Sequence, residues 1–271
     1  MIDLHCHLLP GIDDGATGLD ASIAMARIAS ADGIRVVACT PHDYPGMYDN
    51  RPEQIRAAVA RLQSALSEEG IQLTLLAGAD VHLRPGLTGL VRDGSVATLA
   101  GSRYLLLEPP HHVAPPRFEE TLNALLSAGI VPVLTHPERL SWVENHYATF
   151  VNAAGRGVWL QVTAGALTGR FGQRARYWAE RFVGEGHAHL LATDAHDTKH
   201  RPPLLAEARD AAAALVGVEE AEHLVRTRPR GIVDDVPPDA LPPSAATGSR
   251  ALGRFRRRLQ RVGAPRTETW S

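Results

Sequence analysis

Short runs of Val, Ile and Leu alternate along the chain with longer stretches in which apolar residues recur every three or four positions. The runs at 2–7, 35–40, 72–77, 104–107, 131–134, 158–162 and 190–192 predict seven strands, each apolar enough to be buried on both faces. Between them, residues 20–31, 51–69 and 117–128 predict helices, with Gly33, Gly70 and Gly129 as their C-terminal stops. Strands and helices in this alternation imply an α/β fold with a parallel sheet, either closed as a barrel or open and doubly wound, and the barrel is the preferred reading. From Pro237 the composition turns to Pro, Ala and Ser, so residues 1–236 read as the folded domain and 237–271 as a linker and tail.

Composition narrows the class. With 44% apolar and 21% charged residues among 271, the chain can bury a sizeable core. Cys6 and Cys39 are too few for a disulfide framework and fit a reducing, cytoplasmic setting. No run approaches the roughly 18 apolar residues of a membrane span, and the first residues lack the basic and apolar regions of a signal peptide. Charge is divided unevenly: residues 240–271 hold seven Arg against Glu268, while residues 1–239 carry 21 basic against 29 acidic residues. An acidic body argues against nucleic acid as a partner. Within the tail, Leu252, Phe255, Leu259 and Val262 fall on one helical stripe surrounded by Arg. Residues 250–262 therefore read as a basic amphipathic segment suited to an anionic membrane surface, or as a solubilising tail or a helix docked on the acidic body.

Position selects the chemistry among 13 histidines. In parallel α/β folds the working residues gather at the C-terminal ends of strands. His5 and His7 lie at the end of the first run, on one face by the strand period of two. His42 ends the second, Asp80 follows the third and Glu108 ends the fourth. The fifth ends in Thr135-His136-Pro137-Glu138-Arg139 and the seventh in Thr193-Asp194-Ala195-His196. Asp13 and Asp14 sit on the first loop, Asp14 as the candidate ligand and Asp13 in a turn or capping role. Imidazole with carboxylate suits Mn, Fe or Zn better than Ca or Mg alone. The number of donors exceeds one ion's needs, which implies two or three clustered divalent metals. His111 and His112 are expected as exposed loop residues, and His82, His146, His187, His189, His200 and His223 as surface or capping residues.

His5-Cys6-His7, Pro10-Gly11-Ile12-Asp13-Asp14-Gly15-Ala16, Thr40-Pro41-His42, Glu108, His136-Pro137-Glu138-Arg139 and Asp194-Ala195-His196 together resemble the polymerase and histidinol phosphatase superfamily. More narrowly, Gln161-Val162-Thr163-Ala164-Gly165 and Gly169-Arg170-Phe171-Gly172 resemble its bacterial manganese-dependent protein-tyrosine phosphatases, regulators of capsule and exopolysaccharide synthesis. The resemblance covers residues 1 to about 236. It implies a distorted seven-stranded parallel barrel and a trinuclear centre of His5, His7, Asp14, His42, Asp80, Glu108, His136, Asp194 and His196. It also implies a phosphotyrosine substrate on the tail of a membrane-associated bacterial tyrosine kinase. Two positions depart from the pattern. Asp80 stands where Glu is usual and is shorter by a methylene, so it is expected to reach metal after a small backbone shift or through water. Asp43 stands where a second His often follows, with altered substrate contacts expected.

A phosphate monoester dianion resists attack by water, and clustered divalent metals both neutralise its charge and activate the nucleophile. Arg139 is the natural clamp for two phosphoryl oxygens and Arg201 the second candidate. Asp197 is a candidate proton donor to the leaving phenolate. Tyr44, Tyr48 and Phe171 either flank the substrate ring or pack. No Cys-x5-Arg motif is present, and Cys6 points away from His5 and His7, which disfavours a cysteine nucleophile. The alternatives are a small-molecule phosphatase of the histidinol-phosphate type and a metal-stabilised scaffold that binds the kinase without turnover.

Overall fold

In a computed structural model that describes residues 1–246, every paired strand is parallel to its neighbours. The strands are β1 (Ile2–Cys6), β2 (Val36–Cys39), β3 (His42–Asp43), β4 (Thr74–Ala77), β5 (Asp80–His82), β6 (Tyr104–Glu108), β7 (Val131–Leu134), β8 (Trp159–Thr163) and β9 (Leu190–Ala192). They form one sheet of order β1-β2-β4 and another of order β3-β5-β6-β7-β8-β9, together a curled half-barrel. Each of the seven expected runs contains a strand, but the count of seven does not hold, because β3 and β5 form just beyond the ends of the second and third runs. The second breaks at Thr40-Pro41 and the third at Gly78-Ala79, where Pro41 has no N–H for a ladder and Gly78 lets Thr40 and Leu99 approach. The chain then resumes as β3 and β5, joined by Asp80 N–H to Pro41 O at 3.0 Å. At the far side, His7 N–H to Ala195 O (2.9 Å) and Asp194 N–H to His5 O (2.7 Å) bring the end of β1 beside the segment after β9.

The strands are wrapped by α1 (Leu19–Ala31), α2 (Pro52–Glu68), α3 (Leu87–Arg92), α4 (Phe118–Ser127), α5 (Val143–Gly155), α6 (Ala164–Leu167), α7 (Gly172–Gly184), α8 (Ala206–Val216), α9 (Val218–Glu222) and α10 (Arg228–Val233). The period of two sorts strand residues into two apolar clusters. Leu105, Leu107, Leu134, Leu160 and Leu191 pack outward against the helices. Leu106, Val131, Val133, Trp159, Leu190 and Ala192 pack inward. One further step of that inner alternation carries Glu108, Gln161 and Asp194 to the inside at the strand ends. In β1 the pairing slips by one residue, from Asp3 opposite Val37 to Cys6 opposite Cys39. That extra residue reverses the phase of the strand. Ile2 and Leu4 belong to the inner cluster, Cys6 to the outer one, and His5 and His7 face the interior above Leu4.

The opposite pole is closed by the chain's return. Arg228 is fully buried and donates to both Glu220 oxygens (2.8 and 2.9 Å) and to the carbonyls of His189, Pro242 and Pro243. Tyr104 OH donates to Val236 O, and Ala246 N–H to Gly186 O, so residues 236–246 run under the starts of β6 and β9. Pro237 thus begins an attached strap rather than a free linker, and the expected membrane-binding segment 250–262 lies outside the described residues. Among the described residues no helix is long and apolar enough to cross a membrane.

Replacing Arg228 by Met removes the charge that satisfies Glu220 and three carbonyls. The expected outcome is a loss of about 3 kcal/mol in urea unfolding, the cost of breaking a buried pair by removing one partner. Metal uptake at the other pole should stay at the wild-type level, and a shift of under about 0.5 kcal/mol would show that the strap contributes little.

Candidate metal centre

At the C-terminal end of the sheet all nine residues expected as ligands come together. His5 Nε2 lies 3.3 Å from Asp80 Oδ2 and 3.2 Å from Asp194 Oδ1, and His7 Nε2 lies 3.4 Å from the same Asp194 oxygen. His42 and Asp80 are register partners on β3 and β5, which sets His42 Nδ1 3.5 Å from Asp80 Oδ2 and from Glu108 Oε2. Asp14 Oδ1 is 3.4 Å from both His42 Nε2 and His196 Nε2. His136 Nε2 is 3.5 Å from Glu108 Oε1. Donor atoms group within 4.8 Å of one another as His7, Asp14, His42 and His196, as His5, His7 and Asp80, as His42, Asp80 and Glu108, and as Glu108, His111 and His136. Asp80 is fully buried between His5 and His42.

Neighbouring groups fix the imidazoles. His5 Nδ1 is held by Gln161 Oε1 at 2.9 Å and His7 Nδ1 by Asp13 Oδ2 at 2.8 Å. Both acceptors place the proton on Nδ1, so each Nε2 of the neutral ring presents a lone pair. The two Nε2 atoms are only 3.2 Å apart. Asp13 also accepts the N–H groups of Gly15 and His42, which is the expected turn role joined to the orientation of His7. Gly15 is required because a Cβ there would lie 2.2 Å from His7 O, so only glycine lets the Asp13-Asp14 loop cross the strand end. His136 (φ 33°) and Asp194 (φ 51°) take left-handed backbone at the ends of β7 and β9, strain of the kind stored at functional sites.

Electrostatics ask for a cation. Asp80 is buried and neither of its oxygens accepts a hydrogen bond, a costly state unless a positive ion is near. Burial opposes charge on His7, yet its bonds to Asp13 and Asp194 outweigh this and raise its pKa to about 10. His5 is raised too, burial being overcome by Asp194 and Asp80. Burial also opposes ionised Glu108, but hydrogen bonds from His111, His136 and His82 hold it well below the usual carboxylate range. His136 moves the other way, to about 4, through burial and the Arg139 charge, so it stands neutral and ready to ligate. Two Nε2 atoms at close range, an orphaned carboxylate and a mixed imidazole–carboxylate set fit divalent ions of the Mn, Fe or Zn kind.

Arg139 and Arg201 converge on the other oxygen of Asp194, Arg201 at 2.6 Å. The Phe171 ring lies under both guanidinium groups, 4.4 Å from Arg139 Cζ and 5.8 Å from Arg201 Cζ. Gly165 admits that ring, since a Cβ there would come within 2.9 Å of it. The buried Nε of Arg201 has no hydrogen-bond partner, leaving a donor free beside the cluster. Asp197 is otherwise employed: Oδ1 accepts the N–H groups of Lys199, His200 and Arg201 and shapes the turn that delivers Arg201. Asp43 is buried and gripped by Arg84 at 2.9 and 2.8 Å, facing away from His42 as strand alternation dictates. Cys6 is fully buried, which pushes its thiol pKa well up and removes it as a nucleophile.

Two histidines expected on the surface belong to the site instead. His111 joins Glu108 and His136. His82, half-buried, lies 3.8 Å from Glu108 Oε2 and stacks on exposed Tyr44 at 4.1 Å. His82 pairs in register with Glu108, a proximity visible only once β5 is placed beside β6. The signal for His111 was its position three residues after Glu108 across two prolines.

A cluster of imidazoles and carboxylates at the ends of parallel strands, with arginines beside it, is the layout of a metal-dependent hydrolase on a barrel-like α/β scaffold. Residues 1–234 match the family model for capsular polysaccharide synthesis proteins CpsB/CapC, and the chain belongs to that family. It is 34% identical over 201 residues to the tyrosine-protein phosphatase YwqE of Bacillus subtilis (strain 168), covering 74% of this chain and 79% of the relative. It is 28% identical to the tyrosine-protein phosphatase CpsB of Streptococcus pneumoniae, covering 87% of this chain and 99% of the relative. Among solved structures it superposes with a TM-score of 0.83 and 31% identity on a chain described under YwqE from Bacillus subtilis and CpsB from Streptococcus pneumoniae, "unique metal-dependent tyrosine phosphatases", over 87% of this chain and 95% of that one. A β-aspartyl dipeptidase from Fervidobacterium islandicum AW-1 shares the fold at a TM-score of 0.52 and 14% identity, covering 86% of this chain and 73% of that one.

Because His7 carries a proton up to about pH 10 in the ion-free protein, a divalent ion has to displace it. Affinity should therefore rise with pH and fall on acidification. Isothermal titration with Mn²⁺ at pH 7 in two buffers of different ionisation enthalpy should show net proton release. Release of no protons would contradict the assignment of His7.

Proposed function

We propose that this protein is a metal-dependent protein-tyrosine phosphatase of capsule or exopolysaccharide synthesis. Its site is the set His5, His7, Asp14, His42, Asp80, Glu108, His136, Asp194 and His196, and its ions are two or three, with Mn²⁺ preferred. The observation that carries the reading is the pairing of this cation-seeking cluster with Arg139 and Arg201 on a chain of the CpsB/CapC family. Residues 1–236 form the catalytic unit, whose strand runs make the distorted barrel of the polymerase and histidinol phosphatase superfamily.

Divalent ions held by these residues supply positive charge for the phosphoryl oxygens and lower the pKa of water towards about 7. The chain's own groups do the rest. Gln161 and Asp13 keep the Nε2 lone pairs of His5 and His7 aimed inward, so the site is organised before substrate arrives. Arg139 and Arg201, braced on Phe171, present N–H groups to the transferring phosphoryl group, whose charge they match without titrating. Exposed Tyr44 and Met47, with Tyr48 stacked on His42, form a lip at the mouth that suits an aromatic ester. The substrate is the phosphotyrosine tail of a membrane-associated kinase. The Arg-rich residues 250–262, by their composition, suit contact with an anionic inner membrane surface.

Metal-free protein restored with Mn²⁺ should hydrolyse a phosphotyrosine peptide in preference to a phosphoserine peptide and histidinol phosphate. Arg139→Ala should lower kcat/KM by about 100-fold or more, as for loss of a charge-assisted contact worth about 3 kcal/mol. Its metal content should be kept, because Arg201 still pairs Asp194. Full turnover by protein verified free of metal would overturn the reading, and near-normal kcat/KM in Arg139→Ala would remove the clamp.

A further inference from the structure

The phosphatase reading leaves His111 unused, although the loop after β6 returns it to the cluster. His111 Nε2 lies 3.2 Å from Glu108 Oε1, the oxygen that His136 Nε2 approaches at 3.5 Å. The second oxygen of Glu108 faces a different pair, His42 at 3.5 Å and His82 at 3.8 Å. Glu108 therefore offers each oxygen to its own set of imidazoles. On the Oε1 side the grouped donors are Glu108, His111 and His136, all within 4.8 Å of one another. Three protein ligands with a position left open is the usual provision of a catalytic metal site, and His111 is the third.

The backbone around His111 is held as a ligand loop needs to be. Pro109 and Pro110 restrict its approach. Trp142 Nε1 donates to Pro110 O at 2.8 Å, and Ser141 donates to the His111 carbonyl through both its N–H (2.9 Å) and its hydroxyl (3.1 Å). Ser141 and Trp142 close the same turn that begins at His136, so one segment sets the positions of both imidazoles. The neighbour His112 is exposed, its ring 6.3 Å from that of His111, and belongs to none of the donor groups.

We propose that His111 is a ligand of the metal centre, completing through Nε2 an ion site with Glu108 Oε1 and His136 Nε2. The proposal rests on the reading of the cluster as a metal centre. Wild type, His111→Ala, His112→Ala and His136→Ala would be loaded with Mn²⁺, desalted, analysed for metal content, and followed for metal loss to a chelator. His111→Ala is expected to retain fewer ions or to release them at least about tenfold faster, with His112→Ala like wild type. Added imidazole should slow that release. His111→Gln, which keeps the bulk but not the ligand atom, replaces the Ala variant if circular dichroism shows that variant unfolded. Wild-type retention in the His111 variant beside loss in His136→Ala would overturn the role of His111 and leave the metal centre standing. Failure of wild type itself to retain metal would overturn the centre.

Discussion

Five imidazoles and four carboxylates crowd the inner end of the sheet, and the cost of burying so many ionisable groups together is the constraint around which this protein is arranged. Asp80 has no hydrogen-bond donor, and the Nε2 atoms of His5 and His7 face each other at 3.2 Å. Hydrogen bonds between the two kinds of group offset part of that cost: Asp13 and Asp194 raise His7 to about 10, and His111, His136 and His82 depress Glu108. A preformed site of this kind would be unstable in isolation. It persists because the strand ends that carry it are fixed by an apolar interior below and by helices outside.

Several local departures from regular structure serve that arrangement. The one-residue slip in β1 turns His5 and His7 inward. The breaks at Thr40-Pro41 and Gly78-Ala79 offset β3 and β5 so that His42 and Asp80 pair in register. Left-handed backbone at His136 and Asp194 aims two further donors. Arg139 and Arg201 then neutralise the Asp194 oxygen that points away from His5 and His7, and Phe171 and Gly165 hold them there. Each is individually unfavourable or neutral, and together they place charge where a phosphoryl group would develop it.

The strand positions were legible in the sequence because apolar runs mark buried parallel strands, and most of the donors that the structure gathers stand at or just after those runs, with Asp14 on the first loop. The strand count was not, since β3 and β5 are short, polar segments beyond Pro41 and Gly78 that carry no apolar run of their own. His111 and His82 escaped because their partners become near only through the β5–β6 register and the Ser141–Trp142 brace. The pairing of Asp43 with Arg84 was hidden for the same reason, its partner lying 41 residues away. Arg228 reads as one more surface charge in an Arg-rich chain, and only the returning strap makes it a buried clasp.

We infer that divalent ions at the strand ends relieve this crowding. Anomalous difference maps from crystals grown with Mn²⁺, recorded on both sides of the manganese absorption edge, test it most directly. Two or three peaks among His5, His7, Asp14, His42, Asp80, Glu108, His136, Asp194 and His196 are predicted. A map in which active protein holds no manganese within this cluster, or holds it only elsewhere on the molecule, would contradict the account.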